Sequence, residues 1–247
     1  MFKKIGGKKS YSEKIVNQIE RAILDNKYRP GDKIPSEMEM CDIFDVSRTV
    51  VREAIQKLSA KGLIEVKKGS GIFVKKYAEK YVTDTMETYL WLNLNKDYIK
   101  YVMQIRKLFE PQLARLASKN RSKENLYNMK KNINELRKCD PQNFKKEGNI
   151  DKQFHLQIAR SCKNPLIITM VTPIFQIMPR IRSFIYKDNG ATKSTAIEYH
   201  SKIFEMIKNK DANKAREIMQ KHLAIAEQDS RILLETLEFD KITKYED

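Results

Sequence analysis

Three histidines and one aspartate provide the clearest candidate chemistry in this sequence. The 247 residues contain three histidines, His155, His200 and His222, and each lies in a segment with helical spacing. Asp151 precedes His155 by four residues, so the two side chains share one helix face. One carboxylate and three imidazoles suit Zn, Ni or Mn and leave one or two coordination positions open. This spacing is equally typical of an ordinary contact on a helix surface, so spacing alone leaves both interpretations open.

The elements that must position these residues are predicted to be helices. No hairpin signal occurs after residue 82, and polar or proline-containing breaks separate long stretches of helical period. The predicted helices span 83–94, 97–119, 122–138, 143–162, 164–187, 194–209 and 211–236. Pro173 and Pro179 are expected to kink the fifth of these helices, because each removes a backbone donor. The C-terminal part is therefore predicted to be an all-α bundle of about seven helices.

Three helices are predicted before this bundle, two of them short and joined by a tight turn. A scaffold helix runs from Tyr11 to about Asp25. Ser36 and Glu39 form a capping box, since the hydroxyl can accept the third amide of a helix while the carboxylate reaches back to the cap. Ser47 is an N-cap for the next helix, after a turn of two residues, Asp45 and Val46. This pattern is typical of a helix-turn-helix.

The second helix of this pair has one apolar face and one polar face. Its apolar face carries Val50, Val51, Ala54, Ile55 and Leu58. Its polar face carries Arg48, Thr49, Arg52, Gln56 and Lys57. These polar residue types bond phosphates and base edges, and the early ones lie at the helix end that enters the major groove. The segment is therefore predicted to bind DNA.

A β-hairpin is predicted after this helix. Alternating segments at Leu63–Val66 and Ile72–Val74 flank a tip of sequence Lys67-Lys68-Gly69-Ser70-Gly71. The glycines let the tip backbone approach a neighbouring surface, and the lysines add positive charge there. A groove or a phosphate is the natural surface, so the hairpin is predicted to be the wing of a winged helix-turn-helix.

Three runs of this N-terminal part, from Gly31 to Glu37, from Val46 to Ala54 and from Gly62 to Val74, resemble the GntR family of bacterial transcription regulators. The resemblance covers about Tyr11 to Val74. It implies DNA contacts from the recognition helix and the wing tip, at Ser47, Arg48, Thr49, Arg52, Lys68 and Gly69. Met38 departs from the family, which usually has Arg there. One expected DNA contact is therefore absent, and operator preference cannot be copied from better-known members.

The helical part resembles the FCD effector domain of the FadR-like branch of that family. The resemblance runs over about residues 83 to 236 and includes Arg106–Glu110, Asp151–Leu156, Ser161–Leu166 and Tyr199–Leu223. It implies a divalent metal held by Asp151, His155, His200 and His222, and a small organic acid bound with help from Arg106 and Asn164. A metal cation and a guanidinium both favour a carboxylate. The histidines argue against a fatty acyl effector.

The chain is expected to be mainly α and to divide into four parts. These are a winged helix-turn-helix domain at 1–76, a linker at 77–82, an effector-binding and dimerisation domain at 83–237, and a tail at 238–247. Residues 1–9 are expected to form a flexible basic arm. Cys41, Cys139 and Cys162 lack the spacing of zinc or redox sites and are expected to be reduced thiols.

Function is predicted to be regulatory and not enzymatic. The net charge of +16 favours a nucleic-acid partner. The sequence has no apolar run of ~20 residues and no signal-peptide pattern, so the cytoplasm is expected and not a membrane. We expect the protein to bind a palindromic double-stranded operator as a homodimer and to be controlled by a small carboxylic acid. Repressor is the commonest role in the resembled family and is the role expected here. A metal-dependent enzyme and an architectural DNA binder with a structural metal are the alternatives. The sequence shows no acid/base pair, phosphate loop or nucleophile motif for an enzyme.

Overall fold

The computed structural model describes residues 10–76, 79–140, 142–186 and 192–236, and at 183–186, 192 and 232–236 it describes the backbone alone. The chain forms two compact units, Met1–Tyr81 and Val82–Asp247. The predicted arm at 1–9, the tail at 238–247 and the breaks at Pro141 and 188–190 lie outside the described residues, as do residues 77 and 78 of the predicted linker.

The N-terminal unit is a helix-turn-helix with a wing, as predicted. Its elements are α1 (Tyr11–Leu24), β1 (Lys33–Ile34), α2 (Glu37–Phe44), α3 (Arg48–Ala60), β2 (Ile64–Lys67) and β3 (Gly71–Val74). β2 and β3 form the antiparallel hairpin, and β1 pairs with the other edge of β3, with Ile34 opposite Ile72. The sequence reasoning missed β1, because a strand of two residues is too short to show an alternating pattern.

The core of this unit holds α3 by its apolar face and leaves its polar face outside. Val51, Ala54 and Leu58 are fully buried, and they pack in one cluster with Ile15 and Ile19 of α1. The same cluster includes buried residues of all three strands, namely Ile34, Ile64, Ile72 and Val74. Burial of these apolar side chains is the main source of the unit's stability. The polar face of α3 is therefore free to meet a partner.

Ser36 provides a local test of this fold. Its side chain accepts a hydrogen bond from the Glu39 amide at 3.3 Å, and its own amide donates to Glu39 Oε2 at 2.7 Å, which completes the predicted capping box. We expect Ser36→Ala to destabilise α2 by about 0.5–2 kcal/mol, since an orphan helical amide loses its acceptor. Faster hydrogen exchange of the α2 amides is the measurement. Ser70→Ala, at the exposed wing tip, should leave that exchange unchanged.

Seven helices belong to the second unit among the residues that the structure describes, and the first of them begins three residues before the unit does. They are α4 (Glu79–Leu92), α5 (Lys96–Asn120), α6 (Lys123–Lys138), α7 (Phe144–Arg160), α8 (Pro165–Tyr186), α9 (Thr192–Lys208) and α10 (Ala212–Thr236). α4 begins four residues earlier than predicted, so residues 79–82 of the predicted linker are helical. Pro173 and Pro179 both lie inside α8, and α5 contains Pro111. Over the described ranges, no helix is long and apolar enough to cross a membrane.

Two pairs of helices dominate the packing of this unit. α5 packs along α10, and α7 packs along α8. The α7–α8 pair approaches closely at Gly148, where an added Cβ would lie 2.8 Å from the Cα of Pro179. A larger side chain there would separate the two helices. One turn beyond this contact on each helix lie Asp151 and Arg182, so the close approach brings a buried carboxylate beside a buried guanidinium.

Candidate metal centre and nucleic-acid interface

The three histidines of the chain meet in the interior of the helical unit. His155 comes from α7, His200 from α9 and His222 from α10, and none is more than 6% exposed. Each offers a ring nitrogen, and these atoms all lie within 4.8 Å of one another. The rings of His155 and His222 stack with centroids 5.4 Å apart. The structure therefore brings three of the four residues predicted as metal ligands into one group that could hold a metal ion.

The environment keeps two of these imidazoles neutral. Burial lowers the pKa of His200 and of His222 well below the ordinary value, and the nearby carboxylate of Asp151 offsets this only in part. The ring of His200 also stacks on Phe154, with centroids 4.0 Å apart and an interplanar angle of 14°. A metal binds the neutral form of histidine, so the site holds these side chains in their ligating state.

Unpaired ring nitrogens give an independent test of whether a cation fits. Both ring nitrogens of His200 and both of His155 are buried, and none makes a well-directed hydrogen bond with the part of the chain that the structure describes. Buried polar atoms in folded proteins are nearly always paired, so such a group requires an explanation. A divalent ion coordinated by these nitrogens would supply the missing interactions. The donor set, made of imidazoles with a neighbouring carboxylate, suits Zn, Ni or Mn.

Asp151 borders the histidines but is engaged by an arginine. Its Oδ1 lies 3.3 Å from Nε2 of His200 and also contacts Nη1 of Arg182, while its Oδ2 lies 3.7 Å from Nε2 of His155. Burial by itself raises the pKa of Asp151, but Arg182 and the two histidines outweigh it and hold the pKa well below its usual range. Asp151 is therefore an ionised carboxylate within reach of the cluster, and Arg182 shares one of its oxygens.

Arg182 was missed by the sequence reasoning, although a signal was present. Helix α8 is otherwise strongly apolar, and its charged residues are Arg180 and Arg182. Arg182 is buried, and its Nη2 also lies 3.8 Å from Oε1 of Glu147. Burial raises the pKa of Glu147, and Arg182 opposes that rise. An arginine inside an apolar helix must find buried acids, which is the pattern that could have identified it.

Arg106, predicted to bind an effector, is buried beside the histidines. Its Nε contacts Oε1 of Glu110, and its Nη1 lies 3.9 and 3.7 Å from the sulfurs of Met103 and Met178. Burial by itself raises the pKa of Glu110, but Arg106 and His155 lower it to about 2. Glu110, which the sequence reasoning did not assign to the site, is thus an ionised carboxylate between a guanidinium and an imidazole.

A small cavity of about 30 Å³ opens next to this centre. Arg106, Arg182 and His222 line it, together with the polar residues Thr195, Asp229 and Ser230. The volume is that of about one or two waters, so an organic acid requires side chains to move apart. Two guanidinium groups and one histidine nevertheless line the same cavity.

Asn164, predicted to help bind an effector, is not among the residues that line this cavity. Its side chain is exposed, and its Oδ1 accepts a hydrogen bond from the Leu166 amide at 3.0 Å. This contact satisfies one of the free amides at the start of α8. The Asn-Pro pair is therefore explained by the start of a helix.

The three cysteines take no part in the centre. Cys41 is partly buried, whereas Cys139 and Cys162 are buried, and all three are free thiols, as expected. Burial raises the pKa of Cys162 to about 12. This thiol therefore stays protonated and unreactive near neutral pH.

The residues predicted to contact DNA lie on the surface of the N-terminal unit. Ser47, Arg48, Thr49, Arg52, Lys68 and Gly69 are all exposed. Ser47 occupies the N-cap of α3, but its side chain makes no capping hydrogen bond, unlike the predicted cap. Gly69 has a φ of +75°, a conformation that favours glycine at the wing tip. These residues therefore form one exposed set on α3 and another at the hairpin.

Helix α2 contacts the two arginines at the start of α3. Nε of Arg52 lies 2.9 Å from Oε2 of Glu37, and Nη2 of Arg48 lies 3.6 Å from the sulfur of Met38. Met38, which departs from the pattern of the resembled family, thus lies against an arginine of α3, the helix predicted to contact DNA. Met38 is itself exposed, so it presents an apolar surface where a charged side chain was expected.

Two family models match the sequence, and together they cover most of it. The family described as "Bacterial regulatory proteins, gntR family" matches residues 11–74, and the FCD domain matches residues 101–225. The Uxu operon regulator of Haemophilus influenzae is 30% identical over 212 residues, which span 83% of this chain and 76% of that protein. The galactonate operon transcriptional repressor of Escherichia coli is 27% identical, over 83% of this chain and 90% of that protein.

A solved structure has the same fold. The protein described as Streptococcus agalactiae GntR is 22% identical in sequence, with a TM-score of 0.56, and the match covers 88% of this chain and 99% of that chain. At this identity the likeness concerns the arrangement of the elements alone.

Proposed function

Because the chain belongs to the GntR family of bacterial regulatory proteins and carries an FCD domain, it is a DNA-binding transcription regulator, and we propose that it is a repressor controlled by a small organic acid. The proposal that an acid controls the protein is supported by one observation: three buried histidines lie together beside two buried arginines. The relatives named above are described as regulators, which supports this function over the enzyme alternative. The repressor role is supported by the name of the galactonate operon repressor.

The proposed metal site consists of His155, His200 and His222, with Asp151 as a fourth ligand. A divalent ion bound there would supply positive charge and open coordination positions for a carboxylate. Arg106 and Arg182 line the adjacent cavity, so their guanidinium groups can hold the same carboxylate with parallel hydrogen bonds. The operon names of the relatives include a sugar acid, and hydroxylated acids are therefore the first effectors to test.

The proposed mechanism couples this centre to DNA through a homodimer. Two copies of the N-terminal unit, related by a two-fold axis, would present their α3 helices to the half-sites of a palindromic operator. The acid can change operator affinity only if it binds the DNA-competent and released arrangements with different affinity. A regulator of this kind works in the cytoplasm, where bacterial operator DNA lies.

The first experiment combines metal analysis with a screen of acids. We expect about one divalent ion per chain, and a sugar acid or related carboxylic acid that raises the melting temperature only in the absence of chelator. The same acid should lower affinity for an operator selected from random duplexes. Operator affinity that no acid alters, together with little sequence preference, would instead identify an architectural binder.

The wing provides a smaller prediction about DNA binding. Lys68 is exposed at the hairpin tip, so its ammonium group is available to one phosphate. We expect Lys68→Ala to weaken binding about equally for operator and unrelated DNA and to reduce the slope of log affinity against log salt concentration by about one. Fluorescence anisotropy at several salt concentrations measures both. Lys145→Ala, which removes an exposed lysine from the second unit, is the control. An equal loss of affinity in this variant would refute a contact between Lys68 and a phosphate.

A further inference from the structure

We propose that Glu110 is a positioning residue that fixes the proton of His155 on Nδ1 and thereby presents Nε2 to the metal. Nδ1 of His155 lies 2.5 Å from Oε2 of Glu110, and Nε2 faces the opposite way, toward Asp151 at 3.7 Å. Glu110 and His155 are both only 2% exposed, so water does not compete for this contact. The inference rests on the proposed metal site and adds to it a residue that touches no metal.

The separation of the two atoms is that of a strong hydrogen bond. The ring N–H is not well aligned with the oxygen, so the contact is short but poorly directed. A buried imidazole nitrogen and a buried carboxylate oxygen at 2.5 Å would repel each other without a proton between them, so the contact is a hydrogen bond. An ionised carboxylate accepts only, so Nδ1 must be the donor and carry the proton. With the proton on Nδ1, the nitrogen left to donate a lone pair to a metal is Nε2, which lies on the side of Asp151.

Arg106 holds Glu110 in place for this task. The guanidinium Nε contacts Oε1 of Glu110 one helical turn away on α5, which leaves Oε2 for His155. Both side chains are almost completely buried, so the carboxylate has a fixed orientation and one oxygen for each partner. The cavity-facing arginine, the carboxylate and the histidine therefore form one continuous chain from the effector space to the metal ligand.

Glutamine at position 110 should move the ring proton of His155 from Nδ1 to Nε2. Its side chain has the same shape but only one oxygen, and Arg106 can donate but never accept. The amide oxygen therefore turns to Arg106, and the amide NH₂ turns to His155. Nδ1 must then accept, which moves the proton to Nε2 and blocks that atom as a ligand. The substitution thus keeps the volume of the core while removing the lone pair that the metal requires.

The test uses the metal-free and the zinc-titrated full-length protein. In ¹⁵N-histidine spectra of metal-free wild type, we expect His155 to be protonated on Nδ1, and in Glu110→Gln on Nε2. Assignment needs only a His155→Gln variant, because the chain has three histidines. Zinc affinity, measured by competition with a chelator, should fall about 10–100-fold in Glu110→Gln. Unchanged tautomer and unchanged zinc affinity would overturn the proposal.

Two further variants keep the result interpretable. Ser118→Ala removes a buried hydroxyl from the same helix, where it donates to the carbonyl of Ala114, and should change neither readout. If Glu110→Gln fails to fold because Arg106 has lost its counter-charge, a double variant with Arg106→Gln removes both charges. That protein should still bind zinc more weakly than wild type, and wild-type affinity in it would refute the role of Glu110. Absence of zinc binding by wild type would sink the proposed metal site, whereas the metal-free tautomer would still test the contact.

Discussion

Replacement of His200 by alanine is expected to abolish tight metal binding and, with it, the response to any acid. His200 is fully buried, and among the residues that the structure describes its two ring nitrogens have no hydrogen-bond partner. Removing one of three imidazole ligands should reduce the affinity for Zn by at least about 1,000-fold, because each coordinated nitrogen contributes several kcal/mol to binding. Metal content after dialysis and chelator competition are the measurements.

The stability of the variant provides a second readout of the same loss. A metal that binds only the folded state stabilises it by about 4 kcal/mol when its free concentration is 1,000 times its Kd. Wild type should therefore melt at a higher temperature with metal than with chelator, and His200→Ala should melt at the same temperature in both. The metal-free variant loses the stacking on Phe154 and the ring contacts with His155 and His222 but no well-directed hydrogen bond, so it should remain folded.

Ser201→Ala is the matched control on the same helix, since its hydroxyl donates to the carbonyl of Ile197 and lies outside the histidine cluster. This variant should keep the metal and the response to the acid. DNA binding in the absence of acid should persist in His200→Ala, because α3 belongs to the other compact unit. Full metal occupancy in His200→Ala would show that His200 is not a ligand.

The helices could be predicted because their signals are local. The apolar residues at helical spacing, and the polar breaks between them, belong to the same stretch of sequence as the helix that they predict. The seven helices of the second unit therefore lie within a few residues of their expected bounds. The capping box at Ser36 and Glu39 is likewise a pattern of four residues. The two-residue strand β1 has no such pattern, since Lys33 and Ile34 become a strand only when β3 lies beside them. Its pairing is a tertiary contact.

In the candidate site too, local patterns could be predicted from the sequence and contacts between helices could not. The spacing of Asp151 and His155 placed them on one helix face, but their meeting with His200 depends on how α7 packs against α9, and only the family resemblance indicated it. Glu110 and Arg182 were missed because their partners lie on other helices, 45 and 31 residues away in the sequence. Asn164 is the converse case: its role in effector binding stays a prediction, and the contact that the structure shows for it is a helix cap.

Removal of both arginines from the start of α3 is expected to eliminate specific recognition of the operator. Arg48 and Arg52 project from the exposed face of the proposed recognition helix, where guanidinium groups can form paired hydrogen bonds with guanine or bind phosphates. We expect the double variant Arg48→Ala, Arg52→Ala to bind its selected operator at least about 100-fold more weakly. Binding to unrelated duplexes should fall much less, so the ratio of the two affinities is the decisive quantity.

The contacts of these arginines in the protein alone do not oppose this role. Arg52 pairs with Glu37 at 2.9 Å, but both side chains are substantially exposed, and such surface pairs contribute little to stability. The guanidinium can therefore leave Glu37 for DNA, and alanine should preserve α3, because it has the highest helix propensity. Lys145→Ala with Lys146→Ala removes the same charge from an exposed part of the effector unit and should leave the affinity ratio intact. Anisotropy with operator and scrambled duplexes gives that ratio, and an unchanged ratio in the arginine variant would exclude both residues from sequence recognition.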